Sequence, residues 1–87
     1  MDITKILVVD DDDRMRKLVK DFLTNRGYSV IEASNGENAL NIFLNQKDIA
    51  LIILDVMMPV MDGWETCRLI RDYSKVPIIM LTLTRVA

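Results

Sequence analysis

Histidine is absent from the 87 residues, and cysteine occurs once, at Cys67. Without an imidazole the chain has no Ser-His-Asp or Cys-His nucleophile, no histidine acid or base, and few routes to a zinc site. One cysteine forms neither an internal disulfide nor a cysteine cluster, and a small buried side chain is its simplest interpretation. Any chemistry therefore has to use carboxylates, hydroxyls or a bound ion.

The chain also lacks a basic stripe and a long apolar segment. Its 11 Lys and Arg against 13 Asp and Glu give a net charge of −2, so nucleic-acid binding is not expected. The longest apolar runs are far shorter than the ~18 residues that a membrane span requires, and residues 1–5 do not resemble a signal peptide. We therefore expect a cytoplasmic protein that does not bind membranes. The length and the 51% of hydrophobic residues predict one globular domain over residues 1–87.

Short apolar runs alternate along the chain with segments of helical periodicity. The predicted strands are residues 6–9, 28–33, 49–54 and 76–81. The predicted helices are residues 14–26, a segment with Ala39, Leu40, Phe43 and Leu44 on one face, and residues 64–72. Strands that alternate with helices predict an α/β domain with a parallel sheet and right-handed crossovers.

Particular side chains are expected to define the first and third helices. The apolar face of the first helix comprises Met15, Leu18, Val19, Phe22 and Leu23. Asp12 or Asp13 is placed to cap that helix, and Gly27 to end it in the left-handed conformation. In the third helix, Trp64, Cys67 and Ile70 are expected to point inward.

Acidic and hydroxyl side chains follow three of the four predicted strands. Asp10 and Asp11 follow the first strand, Asp55 the third and Thr82 the fourth. In open α/β sheets the site lies at the carboxyl ends of the strands, so the three aspartates converge if their strands are neighbours. Three carboxylates in one cleft repel each other unless a cation neutralises them, and oxygen-only ligands suit Mg²⁺. The alternative is that residues 10–13 only cap the first helix and that Asp55 is a turn residue.

Three of these segments resemble the receiver domain of two-component response regulators. Residues 6–12 resemble its first strand and acidic pair, and residues 76–82 its fourth strand and hydroxyl residue. Residues 54–63 resemble its phospho-acceptor strand and the following loop, which is the most specific match. The resemblance implies a flavodoxin-like, three-layer αβα fold, with the four strands in the order 2-1-3-4, an order taken from the family.

The resemblance also implies a role for each site residue. Asp55 would accept a phosphoryl group from the phosphohistidine of a sensor histidine kinase or from a small phosphodonor. Asp11 and Asp55 would bind Mg²⁺ directly, and Asp10 through water. The backbone carbonyl of Met57 would be a further ligand, and Thr82 would contact a phosphoryl oxygen. Such transfer needs an oxygen nucleophile and a cation but no histidine on this chain. The resemblance further implies a signalling module rather than an enzyme.

Receiver domains have five strand-helix pairs, whereas this sequence supplies four strands and three helices. We therefore expect a C-terminally truncated receiver without the lysine that ends the fifth strand, because Lys75 lies before the fourth strand. Such truncation would impair phosphorylation and output. The fourth strand would be an apolar edge, and we predict a homo-oligomer formed through it or by exchange of elements.

Two alternative hypotheses stay open. The first is an inert fragment of the receiver fold that self-associates. The second is a phosphatase of the haloacid dehalogenase type that uses Asp10 and Asp12, since the apolar run before them and the Leu81–Thr82 strand end resemble two motifs of that family. Arg14 stands where that family usually has Thr or Val, and its lysine and further acidic motifs are absent.

Overall fold

The computed structural model describes residues 3–81, in which strands and helices alternate. Their order along the chain is β1 (Lys5–Val9), α1 (Asp13–Asn25), β2 (Ser29–Ala33), α2 (Gly36–Asn45), β3 (Ile49–Asp55), α3 (Gly63–Arg71) and β4 (Ile78–Leu81). All predicted elements are present. β4 begins two residues later than predicted because Pro77 has no N–H to give to the sheet, although its carbonyl still accepts a hydrogen bond from Ile52 at 3.0 Å. Thr82 and the tail after it lie outside the described residues.

The four strands form one parallel sheet in the order β2-β1-β3-β4, which confirms the predicted order. β1 and β3 are neighbours, and Val9, the last residue of β1, pairs with Leu54. Because paired parallel strands run side by side, the residues at their carboxyl ends meet at one edge of the sheet. That edge carries Asp10 and Asp55.

Side chains of the strands point alternately to the two faces of this sheet, and different helices pack on each face. The α2/α3 face, which packs on helices α2 and α3, includes Leu7, Ile52 and Leu54, each fully buried with Ile70 of α3. The α1 face, which lies on the side of helix α1, includes the buried Ile6 and Val8 and the cross-strand residues Glu32, Ile53 and Ile79. One helix on one side and two on the other make the predicted three layers.

Helix α1 has the predicted ends, but none of its residues is fully buried. The Asp12 carboxylate accepts hydrogen bonds from the N–H groups of Arg14 and Met15, and Gly27 has a φ of 92°. Both capping predictions are therefore confirmed. The prediction that Leu18 and Phe22 face the core is wrong, since they are 63% and 56% exposed. Met15, Val19 and Leu23 are half-buried on the side of α1 that contacts β1 and β2.

Trp64 and Leu44 also differ from expectation. Trp64 is 61% exposed, because α3 begins at Gly63 and buries the stripe formed by Gly63, Thr66 and Ile70. That stripe has a spacing of three and four residues, which turns Trp64 away from the sheet. Leu44, close to the end of α2, is exposed as well. The longest described helix, α1, has 13 residues, and none of the helices in the described segment could cross a membrane.

Candidate metal centre

Three carboxylates meet at the carboxyl edge of the sheet, as their positions after neighbouring strands predict. Asp10, Asp11 and Asp55 each offer one oxygen, and these oxygens lie within 4.8 Å of one another. Asp10 and Asp55 are 6% and 9% exposed, whereas Asp11 is exposed. The cluster is therefore buried on the side of the sheet and open to solvent on the side of Asp11.

Asp10 is held at each of its polar groups. Its N–H donates to the carbonyl of Ala33 at 3.1 Å, which extends the pairing of β1 with β2 by one residue. Its Oδ1 accepts a hydrogen bond from the N–H of Asp12 at 2.9 Å. Its backbone carbonyl accepts a hydrogen bond from Nη1 of Arg16 at 2.7 Å. The orientation of Asp10 is thus set by β2, by the turn into α1 and by α1 itself.

Asp55 is held by the loop that follows it. Its Oδ1 accepts a hydrogen bond from the N–H of Met57 at 3.1 Å. The Met57 side chain is exposed, while Met58 next to it is buried in the core and anchors the loop. The predicted role of the Met57 carbonyl as a ligand stays a prediction.

Gly63 allows helix α3 to begin directly against the backbone of Asp55. Its N–H donates to the carbonyl of Val56 at 3.0 Å. A Cβ at this position would collide with the Asp55 carbonyl oxygen and would lie 2.7 Å from the Cα of Val56. The Asp62 carboxylate caps the helix by accepting a hydrogen bond from the N–H of Glu65 at 2.9 Å. Only glycine fits between this helix start and the end of β3.

The charge and the donor atoms of the cluster suit a divalent cation. Burial raises the pKa of Asp10 above its ordinary value; the hydrogen bond from Asp12 opposes this rise, and the charges of Asp55, Asp11 and Asp12 add to it. Ionisation of Asp10 is therefore harder in the folded chain than in water, and a nearby cation would favour the ionised form. The donor set consists of carboxylate oxygens, which are the ligands preferred by hard divalent ions such as Mg²⁺. The residues present fit that ion.

Two other aspartates of the acidic run have different contacts. The Asp12 carboxylate is engaged as the α1 cap, and Asp13 pairs with Arg16 at 2.5 Å. Capping thus explains part of the run, and Asp10 and Asp11 are the members that join Asp55. The engagement of Asp12 disfavours the phosphatase hypothesis, which needs Asp12 at the reacting centre. Thr82, the predicted phosphoryl contact, lies beyond the last described residue.

Arg16 is a site neighbour that the sequence patterns did not single out. Its side chain is 15% exposed, and its Nε lies 3.2 Å from Oε1 of Glu32. Lys20 also pairs with Glu32, at 3.2 Å. The spacing of three residues between Asp13 and Arg16 signals an ion pair on a helix. The contact of Arg16 with the Asp10 carbonyl has no such local signal.

Fold and cluster together define a flavodoxin-like α/β domain with an acidic site at the carboxyl edge of its sheet. A family model described as the response regulator receiver domain matches residues 6–86. The chain therefore belongs to the response regulator receiver domain family.

Curated relatives and solved structures agree with this membership. The chain is 54% identical over 77 residues to a probable transcriptional regulator ycf27 of Cyanidium caldarium, covering 88% of this chain and 30% of that protein. It is 49% identical over 79 residues to the transcriptional regulatory protein ResD of Bacillus subtilis, covering 91% and 32%. The chain thus spans about a third of the length of these relatives.

Two solved structures illustrate the likeness of fold. A response regulator receiver protein from Pseudomonas putida has a TM-score of 0.90 at 28% identity, over 99% of this chain and 73% of that one. The response regulator TrrA from Thermotoga maritima, solved in complex with Mg²⁺ and BeF, has a TM-score of 0.86 at 42% identity, over 92% and 70%.

Proposed function

We propose that this chain is a Mg²⁺-dependent phospho-accepting receiver module of two-component signalling, with Asp55 as the acceptor. The observation that carries the proposal is the convergence of three carboxylate oxygens, two of them on buried residues, at the carboxyl edge of a receiver fold. Membership in the receiver family supports it, and so does the Mg²⁺ and BeF complex of the Thermotoga maritima relative.

In this proposal, Asp11 and Asp55 hold Mg²⁺ directly, and Asp10 holds it through water. The Met57 carbonyl is a further ligand, and Thr82 contacts a phosphoryl oxygen. When bound, the ion supplies positive charge against the negative charge that develops on the transferring phosphoryl group.

The residues of the chain itself place the nucleophile. An oxygen of the Asp55 carboxylate attacks phosphorus, so that a bond from this oxygen to phosphorus forms while the bond from phosphorus to the donor's leaving group breaks. The N–H of Met57 holds Oδ1 of Asp55 at 3.1 Å and thereby restricts the rotation of the carboxylate. Catalysis of phosphoryl transfer by a protein depends mainly on a positioned oxygen nucleophile and on positive charge near the transferring group.

The proposed donors are a sensor histidine kinase or a small phosphodonor such as an acyl phosphate. The first carries the phosphoryl group on a histidine nitrogen, which explains why this chain needs no histidine of its own. The cytoplasmic location and the absence of nucleic-acid binding stay predictions from the sequence.

Incubation with acetyl phosphate and Mg²⁺, followed by intact-mass measurement, tests the proposal. We expect the mass to increase by one phosphoryl group, hydroxylamine to remove that group, and EDTA to prevent its addition. Asp55→Asn is the matched control, because asparagine keeps the shape and the acceptor oxygen of the side chain but lacks the nucleophilic carboxylate.

Three outcomes would contradict the proposal. A folded wild-type chain that gains no mass would support the inert fragment. A gain that persists in Asp55→Asn would place the acceptor elsewhere. Continuous hydrolysis of a phosphomonoester by the chain would support the phosphatase.

A further inference from the structure

Arg16 joins three parts of the molecule through one guanidinium group. Its Nη1 donates to the carbonyl of Asp10 at 2.7 Å, its Nε to Glu32 of β2 at 3.2 Å and its Nη2 to Asp13 at 2.5 Å. The side chain is 15% exposed. Burial lowers the pKa of this guanidinium, but the hydrogen bonds and charges of Asp13 and Glu32 raise it by more, so the group stays ionised.

An ion pair between α1 and β2 does not by itself account for this arrangement. Lys20, one helical turn further along α1, already pairs with the same Glu32 carboxylate at 3.2 Å. A lysine is sufficient for such a pair, whereas the planar fork of arginine reaches several acceptors at once. Two contacts distinguish Arg16 from Lys20: the pair with Asp13 on the same helix, and the hydrogen bond to the Asp10 carbonyl, which reaches the carboxylate cluster.

The Asp10 carbonyl belongs to the peptide group that links Asp10 to Asp11. Because a peptide group is planar, fixing its oxygen also fixes the direction in which the chain enters Asp11. The N–H and the carboxylate of Asp10 are already held by Ala33 and Asp12. The Arg16 contact removes a further freedom, namely rotation of the plane that determines where the Asp11 carboxylate lies.

We propose that Arg16 is a positioning residue for the carboxylate cluster, holding the Asp10–Asp11 peptide so that both aspartates converge on Asp55. This inference rests on the proposed Mg²⁺ function of the cluster. Arg16 acts through the backbone of Asp10 and contacts neither the ion nor the phosphoryl group.

The sign of one mutational effect separates this role from a purely electrostatic one. A positive charge near a cation site opposes cation binding, so loss of that charge alone would strengthen Mg²⁺ binding. Loss of positioning weakens it, and removal of such supporting contacts typically costs about 10- to 100-fold in metal affinity. The two roles of Arg16 therefore predict opposite changes when its charge is removed.

The test compares Arg16→Met with Lys20→Met by calorimetric titration of the chain with Mg²⁺. Each variant loses one positive charge and one ion pair to Glu32, and the first also loses the pair with Asp13 and the hydrogen bond to Asp10. Release of the Asp13 carboxylate adds unpaired negative charge, which by itself would favour Mg²⁺ binding. We expect Arg16→Met to weaken Mg²⁺ binding by about 10-fold or more. We expect Lys20→Met to bind as tightly as the wild type or slightly more tightly. Unchanged or stronger binding by a folded Arg16→Met overturns the inference.

A second readout works without metal. A hydrogen bond to a carbonyl changes the amide resonance of the following residue, so Arg16→Met should shift the Asp11 amide signal, whereas Lys20→Met should not. An Asp11 signal that stays in place in Arg16→Met overturns the inference. Failure of the wild type to bind Mg²⁺ overturns the proposed metal function instead, and the Asp11 signal then decides the positioning role alone.

Arg16→Lys provides a further variant if Arg16→Met does not fold. It keeps the positive charge at this position but lacks the planar fork that reaches several acceptors at once. We expect Arg16→Lys to weaken Mg²⁺ binding, whereas a role of charge alone would leave the affinity unchanged. Wild-type affinity in a folded Arg16→Lys contradicts the inference.

Discussion

On the α2/α3 face of the sheet, Ile52 is fully buried, whereas on the α1 face Ile79 is 48% exposed. The first face packs on two helices that also contact each other, and it forms a continuous core. On the second face, α1 packs mainly on β1 and β2. Yet the α1 side supplies Arg16, which holds the backbone of Asp10. The main buried cluster therefore lies on one face of the sheet, whereas a side chain from the other face contacts the backbone of the carboxylate cluster.

The largest difference between the faces should come from two matched truncations. Ile52→Ala removes fully buried methyl groups and should lower the free energy of unfolding by about 2–5 kcal/mol. Ile79→Ala alters a half-exposed side chain and should change it by roughly 0.5 kcal/mol or less. Urea unfolding followed by circular dichroism measures both. Equal losses would show that the α1 face is as closely packed as the α2/α3 face.

Replacing Gly63 at the start of α3 and Gly27 at the end of α1 by alanine should lower the free energy of unfolding by different amounts and for different reasons. Gly63→Ala forces a Cβ into the backbone of Asp55 and Val56, and should cost about 1–3 kcal/mol of unfolding free energy as overpacking does. Gly27→Ala at the end of α1 meets no atom within 4 Å, and its φ of 92° alone should cost about 1 kcal/mol.

Urea unfolding measures the stability of the two alanine variants, and titration with Mg²⁺ measures the affinity of the carboxylate cluster for the ion. Gly63→Ala should also weaken Mg²⁺ binding, because the collision displaces Asp55. Gly27→Ala should leave it unchanged. A well-tolerated Gly63→Ala would contradict the close approach of α3 to β3.

The carboxylate cluster at the carboxyl ends of the strands should make the free energy of unfolding depend on pH. The pKa of Asp10 is raised in the folded chain, so the protonated form favours folding. Its contribution is fully present below the unfolded-state pKa and is lost as pH rises through the folded-state pKa. Without metal, Asp10→Asn should therefore be more stable than the wild type at neutral pH, and this advantage should vanish in acid.

Urea unfolding in EDTA across a pH series measures this difference. Asparagine keeps an oxygen that accepts the Asp12 N–H, which makes it a conservative control for the hydrogen bond. Mg²⁺ should restore stability to the wild type and not to the variant. A variant less stable than the wild type in EDTA at neutral pH would contradict the account.

The smallest expected effect is self-association through β4, the edge strand whose Ile79 is half exposed on the α1 face. β4 is the last strand in the described sheet, and Ile79 on it is half exposed. We expect concentration-dependent oligomers that Ile79→Lys weakens, because charge on an edge strand opposes strand pairing. Light scattering against concentration measures this, with Val60→Lys in an exposed loop as the control. A folded wild-type monomer at high concentration would contradict the prediction.

The sequence allowed the order of the elements and the meeting of Asp10, Asp11 and Asp55 to be predicted, since both follow from where each strand ends. It did not predict the exposure of Leu18, Phe22 and Trp64. Periodicity shows which residues share a helix face, but the width of the covered stripe depends on the neighbouring elements. The contact between Arg16 and the Asp10 carbonyl was missed because it depends on how α1 lies over β1.

The most direct test of the central claim is ¹⁹F NMR of the chain with beryllofluoride, which mimics a phosphoryl group on a carboxylate. With Mg²⁺ present, the wild type should show resonances of bound fluoride. These should disappear on addition of EDTA and should be absent from Asp55→Asn. A folded wild-type chain without bound resonances in the presence of Mg²⁺, or bound resonances that persist in Asp55→Asn, would contradict a Mg²⁺-dependent phospho-acceptor at Asp55.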